Sequence, residues 1–141
     1  MIGYDGNKKV KGSKISALTD KNARPLSIII TPANIHDSKL YLPTIKNFKI
    51  KISVGRPITR PSMIITDAAY DTTEIRDYNR KRGMKSNIPV NKRNSKKHKP
   101  GRPKKFDKES YKKRNAIERF FSWIESFRKL FPRYEVLEES Y

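Results

Sequence analysis

Residues 62–90, SMIITDAAYDTTEIRDYNRKRGMKSNIPV, carry the pattern that decides the fold class. Met63 to Ile65 form a short apolar, β-rich run that ends two residues later at an acid, Asp67. DTTE, 71–74, has the spacing of a capping box, with Asp71 as the cap and Glu74 three residues on. A helix through IRDYNRKR then stops at Gly83, a residue suited to a helix C-terminus. SNIPV, 86–90, reads as a second short strand. Strand, helix, strand in that order is a βαβ unit, with parallel strands and a right-handed crossover. The chain is therefore expected to be α/β.

Upstream, SKISALT (13–19) and PLSIIITPA (25–33) read as two strands. The second is a continuous β-branched run, expected to be buried on both faces or nearly so. The DKNARP turn between them makes an antiparallel hairpin. NIHDSKLYLPTIKNF follows as a helix capped by Asp37 or Ser38, with Leu40, Ile45 and Phe48 inward and Pro43 making it irregular. Residues 49–62 are basic and proline-containing, a loop with a short extended piece. Downstream, Ile117, Phe120, Phe121, Ile124, Phe127 and Phe131 recur at helical spacing and predict one helix over 111–131, ended by Pro132.

Composition narrows the function. The 141 residues suit one domain, and 35% hydrophobic content suits one modest core. The net charge is +19, from 33 Lys and Arg against 14 Asp and Glu. Such a chain repels itself unless it meets a polyanion, and nucleic acid is the first candidate. Residues 92–105, KRNSKKHKPGRPKK, hold eight of these cations (Lys92, Arg93, Lys96, Lys97, Lys99, Arg102, Lys104 and Lys105) and no acid. They are the expected DNA-binding tether, within an insert at about 91–109 expected to be disordered without a partner. Its PGRP piece partly resembles an AT-hook, with Pro100 where that motif has arginine. Cysteine is absent, so there is no disulfide framework and no cysteine zinc site. No apolar run reaches the roughly 20 residues of a membrane span, and the start MIGYDGNKKV has no signal-peptide pattern. A cytoplasmic, nucleoid-associated, prokaryotic location is the matching expectation.

Two acids stand out. On a helical wheel over 111–131, Tyr111, Arg114, Glu118 and Glu125 form a stripe about a third of a turn from the apolar one. Glu118 thus lies beside the buried face. Wheel position alone favours an ion pair with Arg114, worth a few tenths of a kcal/mol. Asp67 lies at the C-terminal end of a strand, where ligands gather in open α/β sheets. Its alternative role is a helix cap, but Asp71 fits that position and leaves Asp67 spare. Two carboxylates from separate elements suit Mg²⁺ or Mn²⁺, the ions that assist phosphoryl transfer on nucleic acid. Other chemistries lack their residues: His36 and His98 are far apart, and no glycine-rich phosphate loop occurs.

At these residues the chain resembles the catalytic core of insertion-sequence DDE transposases. GSKISALTD, RPLSIIITPANIHD, IITDAAYD, YKKRNAIERFF and FRKLFPRYE carry the likeness in the family's order across nearly the whole chain. The resemblance implies a ribonuclease-H-like mixed sheet with flanking helices. It also implies metal-dependent hydrolysis of a DNA phosphodiester, followed by strand transfer from the freed 3′-hydroxyl. The family's second catalytic acid falls on Asp67 and its third on Glu118, both as metal ligands. Tyr111 and Arg114 match the rest of the Y-x-x-R-x-x-x-E pattern and are expected against DNA.

Two departures accompany the likeness. Glu125 stands where the pattern has lysine. The family's first acid precedes the KGSKI segment, and neither Asp5, read in a GYDG turn, nor Asp20, in the hairpin turn, fits it. The expectation is a core lacking its first strand and first aspartate, inactive alone, and able to oligomerise on DNA. The alternative is a non-catalytic DNA-binding protein that works through residues 92–105.

Overall fold

The computed structural model describes residues 2–6, 9–91, 93 and 104–127. The chain divides into two compact units, Met1–Phe48 with Asn115–Tyr141, and Lys49–Arg114. Phe131, Pro132 and the tail lie outside the described residues, as do Lys92, Lys96, Lys97, Lys99 and Arg102.

The first unit is built on the expected hairpin. β1 (Gly3–Asp5), β2 (Val10–Thr19) and β3 (Pro25–Pro32) form an antiparallel sheet in that order. The β2–β3 register runs from Ser13 opposite Pro32 to Thr19 opposite Pro25, with an irregularity at Leu18/Thr19. Asp20 builds the turn: its Oδ1 accepts from the backbone N–H of Asn22 at 2.8 Å and of Arg24 at 2.9 Å. Ala23 completes the reversal in the left-handed region, at φ 66°. Asp5 is not in a turn as expected. It is the last residue of β1, opposite Val10.

Helix α1 (Asp37–Lys46) packs against β2 and β3. Its cap is His36, not Asp37 or Ser38: the imidazole Nδ1 accepts from the Ser38 N–H. Asp37 instead meets Lys14 Nζ at 3.0 Å. Pro43 lies within the helix without ending it. Thr44 Oγ1 donates to the Leu40 carbonyl and bonds Ser16 Oγ at 2.7 Å, while Ser27 Oγ donates to the Thr44 carbonyl at 2.8 Å. Ser27 is therefore buried against the helix, and Ile28, next in the strand, points the other way. Ile28 is exposed while Leu26 and Ile30 on the same face are half-buried, so β3 is less deeply covered than its apolar run suggested.

Helix α4 (Asn115–Glu125) completes this unit against β2. Ala116 and Phe120 are its buried residues, joining Leu40, Tyr41, Ile45 and Phe48 in the apolar core. Each fully buried side chain of this size contributes about 1.5–3 kcal/mol.

The second unit contains the expected βαβ. β4 (Met63–Ile65) and β5 (Lys85–Asn87) pair in parallel, with α2 (Thr73–Lys81) between them. Ile64, Ile75, Met84 and Ile88 are its buried apolar residues. Gly83, at φ 69°, closes the helix as expected. β5 ends at Asn87, short of the expected SNIPV, and Pro89 two residues on has no N–H for a ladder.

The chain is thus α/β, with helices against both sheets. Among the described residues the strands form β1-β2-β3 in the first unit and β4-β5 in the second. Strands of three residues offer few ladder bonds with which to recruit further neighbours. Among the described residues no helix is long and apolar enough to cross a membrane.

Candidate functional site

Asp67 is a cap, and the cap expected of Asp71 is made by its neighbour Thr72. Asp67 follows β4 and caps a 3-10 turn, Ala68–Tyr70, with Oδ1 accepting from the Ala69 N–H at 2.9 Å. Its carboxylate is nonetheless exposed. Asp71 caps nothing. Thr72 takes the N-cap of α2, its hydroxyl oxygen accepting from the Ile75 N–H. Glu74 therefore lies in the first turn of α2, one position short of a capping box.

Asp71 is instead a buried charge centre. Its Oδ1 meets Arg76 Nε at 2.6 Å and Lys104 Nζ at 2.8 Å, and its Oδ2 accepts from the Asn91 N–H at 2.9 Å. Burial pushes the carboxyl up, but the bonds from Lys104, Asn91 and Arg76 outweigh it and hold the group at about 2. Arg76 is fixed further by the Ile88 carbonyl. Asp71 thereby ties Asn91 to Lys104, the residues at either edge of the basic stretch.

This corrects two expectations. Lys104 is bound to Asp71 and is not a free tether cation. Residues 104–109 have defined structure, so the insert expected to be disordered does not extend over them. Asn87 Nδ2 donates to the Asp107 carbonyl at 2.8 Å, and the Asp107 N–H returns to Asn87 Oδ1 at 2.9 Å. Asp107 then caps α3 (Lys108–Lys112), and the Ser110 hydroxyl and N–H hold its carboxyl below the usual range. Arg93 and Lys105 are exposed, as the tether reading requires of them.

The single helix expected over 111–131 is two. α3 ends at Lys112, and α4 begins at Asn115. Lys113 and Arg114 donate to the carbonyls of Ser110 and Tyr111, i→i−3 bonds that tighten and close the turn. Tyr111 therefore does not share a helix face with Glu118. Tyr111 and Arg114 stay together in the second unit, where the Arg114 guanidinium lies 5.8 Å from the Tyr111 ring centroid, within cation–π range. Phe106 packs on the same ring at 5.1 Å.

Glu118 belongs to the first unit, exposed in the first turn of α4, where a carboxylate suits the helix dipole. That helix ends at Glu125, not at Phe131, through bonds from Ser126 N–H to the Trp123 carbonyl and Phe127 N–H to the Ile124 carbonyl. Phe127 is exposed, so its place in the apolar stripe is corrected as well.

Asp67 and Glu118 are oxygen donors of the kind that hard divalent ions take. Among the described residues no cluster of three or more His, Cys, Asp or Glu could hold a metal.

The chain belongs to the transposase DDE domain family, whose model matches residues 2–135. It is 34% identical over 125 residues to a Burkholderia cepacia protein named "Putative transposase for insertion sequence element IS402". The match covers 88% of this chain and 54% of that protein, so the chain spans about half of its relative's length. No solved structure matches.

Proposed function

We propose that this chain is part of the catalytic domain of an insertion-sequence transposase, binding DNA and contributing to metal-dependent phosphodiester hydrolysis and strand transfer. The architecture proposed is ribonuclease-H-like, and the setting a prokaryotic cytoplasm, on the nucleoid. The observation that carries the reading is Asp67: an exposed carboxylate just past the C-terminal end of a parallel strand, with one oxygen fixed by the Ala69 N–H. Capping does not compete with metal binding here. It orients a carboxylate whose other oxygen takes no part in the cap.

In this reading Asp67 and Glu118 hold Mg²⁺ or Mn²⁺, with further ligands from outside the described residues. The bound ion supplies Lewis acidity toward a phosphoryl oxygen. Tyr111 and Arg114 hold the DNA, the ring steadying the guanidinium so that its donors meet a phosphate in one orientation. Arg93 and Lys105 add attraction that does not depend on sequence. Assembly of several copies on DNA belongs to the same proposal.

Two measurements test it. Mn²⁺ binding followed by electron paramagnetic resonance should weaken in Asp67→Ala and in Glu118→Ala. Mg²⁺- or Mn²⁺-dependent nicking of supercoiled DNA, measured with and without a supplied N-terminal segment, should fall by about 100-fold or more in either variant. Unchanged ion affinity and nicking in both would end the metal-ligand assignment. The non-catalytic alternative, acting through 92–105, gains no support from a Lys104 held by Asp71.

A further inference from the structure

Between α1 and β4 the chain makes an excursion that the reading above leaves without a role. Ile50 and Ile58 form an isolated antiparallel bridge, with N–H to carbonyl distances of 2.9 and 3.0 Å in the two directions. The bridge closes the loop KISVGRP, 51–57, which Gly55 turns at φ 109°. Nearly every residue of this loop is exposed. Val54, beside Gly55, is 87% exposed, the most exposed large apolar residue among those described. Ile50, Ile52 and Ile58 are exposed as well. One exposed aliphatic side chain is ordinary, but four within nine residues form a patch that calls for a partner.

The charge around the patch says which partner. Lys49, Lys51, Arg56 and Arg60 are interleaved with these residues along the chain, and no acid occurs between Lys46 and Thr66. Among the described residues Lys49, Lys51 and Arg56 have no acidic partner. Other cations of the chain do, including Lys14, Arg24, Arg76, Arg80 and Lys112. The base of the loop is held firmly. Arg60 Nη1 donates to the Arg82 carbonyl, and Arg82 Nη2 donates back to the Thr59 carbonyl at 3.1 Å. This clasp sets two guanidinium-bearing residues against each other at the end of α2, where Arg80 and Lys81 already stand. Like charges gathered this way are relieved by a polyanion.

We propose that residues 49–60 form a DNA wedge: Lys49, Lys51 and Arg56 grip phosphates while Val54 presses between base steps and bends the duplex. Apolar wedges flanked by cations act in this way in proteins that kink DNA. The clasp to α2 supplies the rigid base that such a wedge needs. The inference rests on the proposed DNA-binding function and adds the element that deforms the duplex.

The test uses the full chain and a short duplex of roughly 25 base pairs, end-labelled for energy transfer. The triple variant Lys49→Gln, Lys51→Gln, Arg56→Gln should lose about 2.7 from the slope of log affinity against log salt. Its affinity should then fall about 40-fold less than that of the natural chain between roughly 50 and 200 mM salt. Val54→Ser, at so exposed a position, should fold normally, keep the salt slope and lose the bend. A natural chain that binds without bending, a Val54→Ser variant that still bends, or a triple variant with an unchanged slope would each overturn the wedge. So would sedimentation showing a dimer of the natural chain that Val54→Ser dissociates while bending persists, since a second copy would then be the occupant. If the natural chain binds no DNA, the functional reading fails together with the wedge. If it binds steeply and both loop variants match it, only the wedge fails.

Discussion

Replacing Asp71 with asparagine isolates the buried charge centre of the second unit. Asparagine keeps the size and one acceptor oxygen, so the Asn91 N–H can remain bonded. It removes the negative charge that Arg76 and Lys104 share. The folded carboxyl lies at about 2 against an ordinary 3.8. The difference corresponds to about 2 kcal/mol of stability. The lone cations add to the loss: Arg76 is mostly buried and keeps only the Ile88 carbonyl, while Lys104 is half exposed and turns to water. A total cost of about 2–4 kcal/mol is expected, at or somewhat below the roughly 3–5 kcal/mol for breaking buried pairs. Because the folded carboxyl binds protons less readily than the unfolded one, the natural chain's contribution is complete above about pH 4. It is lost as pH falls toward 2. The variant should lack that acid-labile component. Hydrogen exchange resolved by residue is the suitable assay, because the sole tryptophan, Trp123, lies in the other unit. Faster exchange at Asn91 and through α2 is expected, together with a lower urea midpoint by circular dichroism. A cost below about 0.5 kcal/mol, with acid sensitivity parallel to that of the natural chain, would refute the reasoning.

Two further substitutions test backbone conformations that the structure fixes. Ala23→Gly should raise stability by about 0.5–1 kcal/mol, since Ala23 sits at φ 66° where a Cβ is penalised and glycine is not; a lower denaturation midpoint would contradict it. Gly83→Ala should cost about 1–2 kcal/mol, because its φ is 69° and the new Cβ would stand 3.0 Å from Arg60 Nη1; exchange in the 50–58 loop should rise with it, as the clasp to α2 loosens.

Features written in neighbouring residues were legible in the sequence. The β2–β3 hairpin follows from a turn whose aspartate binds its own backbone, and the parallel β4–β5 pair from the strand, helix, strand order. Distant partners decided the rest. DTTE offers two residues, Asp71 and Thr72, that can each cap a helix. Thr72 does so because Asp71 is drawn to Arg76, Asn91 and Lys104, and the last two lie 20 and 33 residues away. The break at Lys113–Arg114 was hidden for a different reason. A periodic run of apolar residues is equally satisfied by one helix or by two that each bury part of it, and only the i→i−3 closing bonds separate the cases.

This bears on how the acids should be weighed. Asp67 is not spare, as the fit of Asp71 to the cap position suggested: its carboxylate caps the Ala68–Tyr70 turn, and Asp71 is the structural ion pair. Burial gives a better criterion. A carboxylate held below its usual range by two cations and a backbone N–H, as Asp71 is, has its oxygens engaged and serves the fold. Asp67 is solvent-facing, past a parallel strand end, with one oxygen oriented and no cation among the described residues bound to it. That is the state in which an aspartate can take a divalent ion without first losing a partner, and it supports Asp67 as the proposed ligand.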